Sequence, residues 1–314
     1  MTDGADAPRV DGVVPPRADG DVVGFWRHLG LPGIIDLHVH FMPQRLLDAV
    51  WRYFDSAGPL TGREWPIHYR WPEEQRLDRL RTMGVRAFSS LLYAHKPQMA
   101  ESLNDWAADF AREHSDVVQT MTLFPEPSVS AYVDKALRGG ARIVKVHVQV
   151  GGFDPREPVL DDVWAMLSDA RVPVVAHVGS GPAPGAFTGP GPFADVLARH
   201  PQLTAVVAHM GMPEYDAFLD MAERYDNVHV DTTMCFTDSF GDQADLGRRL
   251  APRLADLAEK VVFGADFPNI PHPYAHQLEV LVRLGLGDDW LRGVVWSNPL
   301  RLLERAGSDV IRRD

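Results

Sequence analysis

The chain has a single cysteine, Cys235, among its 314 residues. One thiol excludes an internal disulfide and fits a reducing compartment, the cytoplasm. Its surroundings, DTTMCFTD, carry no Cys/His signature, so it reads as a buried structural thiol. Long apolar runs are missing too: none approaches the roughly 20 residues needed to span a bilayer. The opening MTDGADAPRVDGVVPPRADGD has no basic stretch and no apolar h-region, so it does not read as a secretory signal. It is rich in Gly, Pro, Asp and Ala, and residues 1–24 are expected to be a disordered leader. Positive charge is in deficit. The formal net charge of −12 argues against nucleic acid and against an anionic membrane surface. A small-molecule substrate, which meets only local charge, is not excluded.

Hydrophobic residues make up 45% and charged residues 24%, an ordinary globular balance. From residue 34 onward two patterns alternate. Eight short apolar, β-branched runs appear: IIDLHVHF (34–41), VRAFSSLLY (85–93), VVQTMTLF (117–124), RIVKVHVQV (142–150), VPVVAHV (172–178), TAVVAHM (204–210), NVHVDTT (227–233) and KVVFGADF (260–267). Helical periodicity fills the gaps, most clearly at 102–114, 128–140, 159–170 and 213–225. Strands alternating with helices imply right-handed βαβ units around a parallel sheet buried on both faces. Eight units over this length match a (β/α)8 barrel, the α/β class called a TIM barrel, spanning residues 25–314. An open doubly wound sheet is the rival, but it usually has fewer strands. Residues 42–84, between the first two runs, are long for a connection and rich in aromatics and Arg. They read as a helix near 44–54, a cover over the barrel mouth, and a helix near 73–83.

Polar residues end several runs that are otherwise too apolar to need them. His38 and His40 share one face of the first run, because side chains alternate along a strand. His177 ends the fifth run, His209 the sixth and Asp266 the eighth. With 13 histidines, chance alone gives about half an His-x-His per chain, so that motif means little by itself. Each residue taken singly is equally well a satisfied core group. Five at the same end of a barrel make a shared site the better reading, since burying them unpaired is costly. Such a set could chelate a divalent metal at the C-terminal mouth of the strands.

The order of these motifs resembles the amidohydrolase superfamily, and the wording is closer to its amidohydrolase-related branch. That branch includes aminocarboxymuconate-semialdehyde decarboxylase, resorcylate-type decarboxylases and lactonases. IDLHVHFMP is similar to its first-strand signature and IVKVHVQVGGFDP to its fourth-strand motif. VVAHMG and FGADFP resemble its sixth and eighth, and WSNPLRLLE (296–304) its closing helix. The resemblance covers about residues 33 to 306. It implies one divalent metal, commonly Zn2+ with Mn2+ or Fe2+ as substitutes, held by His38, His40, His177 and Asp266. Asp266 would also take a proton from water, and His209 would orient or polarise water and substrate.

Lys145 and His147 share a face at the end of the fourth run. In binuclear members of the superfamily a lysine there is carbamylated and bridges two metals. The KVH motif is closer to the mononuclear branch, which leaves substrate contact or a structural hydrogen bond. His229 and Asp231 could support the ligands. His68, Arg70 and Arg63 of the cover segment could reach substrate. Three functions follow from these readings. One is metal-dependent hydrolysis of a small-molecule amide, lactone or similar C–N or C–O bond. Another is non-oxidative decarboxylation of an unsaturated or aromatic acid. The third is a metal-holding barrel that only binds. A homodimer is compatible with all three.

Overall fold

The computed structural model describes residues 12–56, 58, 62, 64–241 and 243–312. Nine short strands carry the fold: β1 Ile34–Asp36, β2 Val85–Ser89, β3 Val117–Val118, β4 Thr120–Thr122, β5 Ile143–His147, β6 Val174–His177, β7 Ala205–Val207, β8 Val228–Asp231 and β9 Val261–Val262. β1–β2–β3 form one parallel sheet and β4 to β9 another, each strand beside its neighbour in sequence. Only Gln119 separates β3 from β4, so both belong to the third apolar run and the eight runs supply eight staves. The last stave meets the first. Leu37 N donates to Phe263 O (3.1 Å), Asp266 N to His38 O (2.8 Å) and His40 N to Phe267 O (2.7 Å), with a parallel bridge between Val39 and Phe267. The architecture is a (β/α)8 barrel.

Alternation within each run sets inside from outside. Ile35, Ala87, Val118, Ile143, Val175, Val206 and Val262 pack together as an inner core, closed at one end by Leu302, Leu303 and Val310. Ile34, Val85, Val144, Val146, Val174, Val207 and Val230 face the other way, into the layer shared with the helices. Both faces are apolar, which is why the runs show little amphipathic alternation. Along the inner row of β5, Ile143 is followed by Lys145 and His147, and along β6 Val175 is followed by His177. The polar residues are thus the mouthward continuation of the inner core.

The cover matches its expected helices within a residue or two, at Gln44–Asp55 and Glu73–Thr82. Met42, Leu47, Val50 and Trp51 pack with Leu92, Leu103 and Ala107 as a separate apolar cluster. Arg76, fully buried on the second helix, lies over the rings of Phe41 and Trp51.

The leader expectation is corrected over its described part. Residues 12–24 are folded, while residues 1–11 lie outside the described residues. A helix runs Val22–His28 with Val22 and Phe25 buried, and Val13 is buried as well. Asp19 accepts from the Tyr69 hydroxyl (2.6 Å) and from Ala275 N (3.2 Å). Composition suggested disorder, but three apolar side chains and one well-placed carboxylate suffice to fix the segment.

His229 is also corrected. It lies two residues before Asp231 on β8, beside Val206 in register, and does not support the mouth residues. Neither ring nitrogen has a hydrogen-bond partner among the described residues. Burial first, then the charges of Lys260, Arg305 and Arg301, push its pKa down to about 3. The folded protein keeps the ring neutral, whereas the unfolded chain takes up a proton below about pH 6.5. The stability tied to this ring is therefore complete above pH 6.5 and is lost as pH falls from there toward 3. In His229→Leu the stability lost between pH 6.5 and 5 should shrink by roughly 1–2 kcal/mol relative to wild type. Urea unfolding midpoints at the two pH values measure it, and an unchanged difference would show that the ring titrates normally.

Candidate active site

The first strand stops at Asp36, short of its apolar run, because the chain bends at Leu37. The buried Asp36 carboxylate holds the bend. Oδ1 accepts from His38 N (3.0 Å) and Ala265 N (3.2 Å), and Oδ2 accepts from the Tyr274 hydroxyl (2.9 Å). One side chain thereby ties the chain after β1 to the chain after β9. Beyond the bend both imidazoles reach the mouth, with ring centroids 5.2 Å apart.

A second partner fixes which nitrogen of each ring is free. His38 Nδ1 donates to Asp231 Oδ2 (2.8 Å), and His40 Nδ1 donates to Leu91 O (2.9 Å). Their Nε2 lone pairs are then the exposed functional atoms. Burial, followed by the Lys145 charge, keeps His38 well below its usual pKa and hence neutral. Asp266 faces both rings. Its Oδ1 is 2.9 Å from His40 Nε2 and 3.6 Å from His38 Nε2. Asp266 reaches this position from a left-handed backbone conformation, φ 65°. Gly264 lets the two strand ends approach, since a Cβ there would lie 2.6 Å from His38 Cβ. Burial opposes ionisation of Asp266, but the hydrogen bond from His40 and the neighbouring imidazoles outweigh it and hold the carboxyl far below the usual range.

The three ligand atoms of His38, His40 and Asp266 lie within 4.8 Å of one another. This donor set fits a divalent cation. His40 Nδ1 is spent on a carbonyl and Nε2 faces a carboxylate, so either a second ring proton or a cation has to lie between them. Lys145 Nζ stands alongside, 3.1 Å from His38 Nε2, with its pKa lowered to about 8 chiefly by burial.

His177 and His209 border this group. Their ring centroids are 4.7 Å apart, and His209 is 5.0 Å from His38. His177 is the expected ligand that does not join the triad. Its Nε2 donates to Gly181 O (3.0 Å) in the loop that follows, leaving Nδ1 with the lone pair. His209 Nδ1 donates to Thr233 O (3.1 Å), and its backbone N donates to Asp231 Oδ1 (2.7 Å). Its free Nε2 is therefore an acceptor while the ring is neutral, and burial lowers its pKa. His209 and Met210 both adopt positive φ, 55° and 50°, in the turn that delivers the ring. Positive φ in these two non-glycine residues is backbone strain at a functional turn.

His147 stacks on His177, with centroids 3.9 Å apart and planes 11° apart. The two cover residues make their contacts elsewhere. Arg70 bonds Asp55 Oδ1 (2.7 Å) and Trp51 O, and His68 packs on Tyr69 and Trp71. Arg63 lies outside the described residues. Asp36, Tyr93, Thr233 and Asn269 escaped the sequence reading. Asn269 links the cover to the Asp266 turn: Oδ1 accepts from Trp51 Nε1 (3.1 Å), O accepts from Trp65 Nε1 (2.7 Å), and N donates to Asp266 O (2.8 Å). The Asp36 position alone, two residues before His38 in an apolar run, carried a readable signal.

Comparison with known proteins agrees with the barrel fold. A family model described as amidohydrolase matches residues 35–305, and the chain belongs to that family. No functionally curated protein matches it. A TIM-barrel protein of Bordetella bronchiseptica superposes with a TM-score of 0.71 at 19% identity, covering 88% of this chain and 99% of the other. A probable 2-pyrone-4,6-dicarboxylic acid hydrolase of Acinetobacter baumannii gives 0.59 at 12% identity, covering 87% and 99%. Dihydroorotase of Campylobacter jejuni gives 0.54 at 14%, covering 87% and 83%. At these identities the likeness speaks for the fold. No helix among the described residues is long and apolar enough to cross a membrane.

Asp231 accepts from His38 Nδ1, His209 N and Thr233 N, and is itself almost fully buried. Asp231→Asn keeps the size but turns one acceptor into a donor facing His38. Metal affinity should fall by about 10–100-fold with the fold intact. Competition against a chromogenic chelator, with circular dichroism alongside, checks this.

Proposed function

We propose that this amidohydrolase-family protein is a metal-dependent hydrolase acting on an amide, lactone or similar C–N or C–O bond of a small molecule. The observation that carries the reading is the convergence of His38 Nε2, His40 Nε2 and Asp266 Oδ1 within 4.8 Å of one another at the barrel mouth. His38, His40 and Asp266 would hold the ion, with His177 beside them as the next candidate ligand. Zinc is the favoured metal, with manganese or iron as substitutes. A divalent metal bound there supplies Lewis acidity and a lowered pKa for water. The protein's own groups do the rest. Asp231 and Leu91 O fix the rings of His38 and His40. Asp266 accepts the proton released when water attacks the acyl carbon, and can return it to the leaving group. His209 Nε2, an acceptor held on a short rigid turn, orients that water. The name of the Acinetobacter baumannii neighbour, a hydrolase, agrees with this reading. The lone buried thiol fits a cytoplasmic enzyme.

Two measurements test it. Purified wild-type protein should carry close to one divalent metal per chain by elemental analysis, and a His38→Ala, His40→Ala double variant should carry none. Full metal in the double variant would end the assignment.

His209→Ala separates ligand from water-orienting group. It should keep its metal and lose about 10²–10³ in kcat on lactones or amides followed by acid release. Metal loss comparable to that of His38→Ala would make His209 a ligand. Robust CO2 release from unsaturated acids with no hydrolysis would move the reaction to decarboxylation.

A further inference from the structure

Beside the metal-ligand group stand two hydrogen-bond donors to which the mechanism above gives no task. Tyr93 ends the second apolar run. Leu91 N donates to Val39 O (2.7 Å), so the chain past β2 stays paired to the chain past β1, and Leu91 O in turn holds His40. Two residues further on, the Tyr93 ring lies edge-on to His40 (centroids 5.9 Å, 82°) and to His147 (5.2 Å, 64°). Its hydroxyl makes no hydrogen bond among the described residues. A tyrosine hydroxyl is an O–H donor at neutral pH.

His147 offers the other donor. It ends β5 directly opposite His177 in register, and its ring is stacked there. Its Nδ1 accepts from Val150 N (3.4 Å), the amide of the short helical turn Val148–Gly151. With Nδ1 taken up as the acceptor, the hydrogen of the imidazole sits on Nε2. That N–H likewise has no partner among the described residues. Both are partly accessible rather than sealed in the core, which leaves room for a partner that is not part of the chain. Two donors without a protein partner thus stand on neighbouring rings, 5.2 Å apart between centroids, at the mouth.

We propose that Tyr93 Oη–H and His147 Nε2–H together seat one acceptor oxygen of the substrate, a carbonyl or carboxylate oxygen next to the bond that is cleaved. The proposal rests on the metal-hydrolase reading. It adds that the substrate presents an oxygen acceptor, not an amine or hydroxyl donor, toward the β2 and β5 side of the mouth. Neither group is needed to hold the metal.

The test uses full-length protein loaded with cobalt(II) and acetohydroxamate as probe, a small metal-binding ligand with a carbonyl oxygen. Dissociation constants come from the visible cobalt absorption. Tyr93→Phe keeps the ring and removes only the hydroxyl. His147→Leu removes the N–H, and His147→Gln restores an N–H donor at a similar reach. Tyr93→Phe and His147→Leu should each bind cobalt stoichiometrically and weaken the probe about threefold to tenfold, one hydrogen bond's worth. His147→Gln should return to near the wild-type value. Wild-type protein that takes up no stoichiometric cobalt sinks the metal reading and this proposal with it. Full cobalt overturns the donor seat alone, leaving the metal centre standing, where the wild type shows no response to the probe or Tyr93→Phe binds it within twofold of wild type. Tyr93→Phe decides by itself should a His147 variant fail to fold.

Discussion

Three ligand-type atoms are held together at the barrel mouth, and much of the structure serves that end. His38 Nε2, His40 Nε2 and Asp266 Oδ1 converge within 4.8 Å while the opposite nitrogen of each ring is committed to Asp231 or Leu91 O. Polar groups gathered in a low-dielectric site are costly to bury, and a free chain would turn them outward. The barrel prevents this. Closure of the last stave on the first, through Asp266 N to His38 O and His40 N to Phe267 O, fixes the carboxylate and the imidazoles to the same hydrogen-bonded seam.

Two buried carboxylates reinforce that seam from behind. Asp36 binds the β1 bend to Ala265 and Tyr274, and Asp231 binds β8 to His38 and to the His209 turn. Both pay for burial with several hydrogen bonds each, and burial raises the pKa of both. The cover adds a third tie. Its Trp51 and Trp65 indoles end on Asn269, three residues after Asp266, so the helix Gln44–Asp55 cannot lift freely without releasing the Asp266 turn. A cover built from aromatics makes sense here: indole N–H groups reach a polar hub while their faces stay in apolar packing.

How much of this was readable follows from where each residue stands. His38, His40, His177, His209 and Asp266 each end an apolar run, and a polar residue in that place is conspicuous. The barrel itself was equally legible, because continuous β-branched runs separated by helical periodicity admit few topologies. Register was less so. Nothing in VVQTMTLF announces that Gln119 interrupts the strand, and nothing in NVHVDTT separates His229, deep in the barrel, from Asp231, which holds two site residues. The leader misled because composition is blind to single apolar residues, Val13 and Val22, that become buried.

Tyr93 and His147 mark the border of legibility. Residues that hold a metal must be rigid, so they sit on strands, where periodicity betrays them. Residues that choose a substrate need only reach it, and they sit at strand ends and in loops, where an aromatic residue looks like packing. Tyr93 ends a run of Leu and Ser and resembles one more core ring until its unpaired hydroxyl is seen beside His147. His147 carried a signal only as part of the KVH motif, and its tautomer depends on Val150 N, a contact made by a turn after the strand. The direction of a donor is a property of three-dimensional hydrogen bonding, not of residue type. For that reason the candidate metal ligands could be read from the chain, while the two donors proposed to meet a substrate oxygen required the structure.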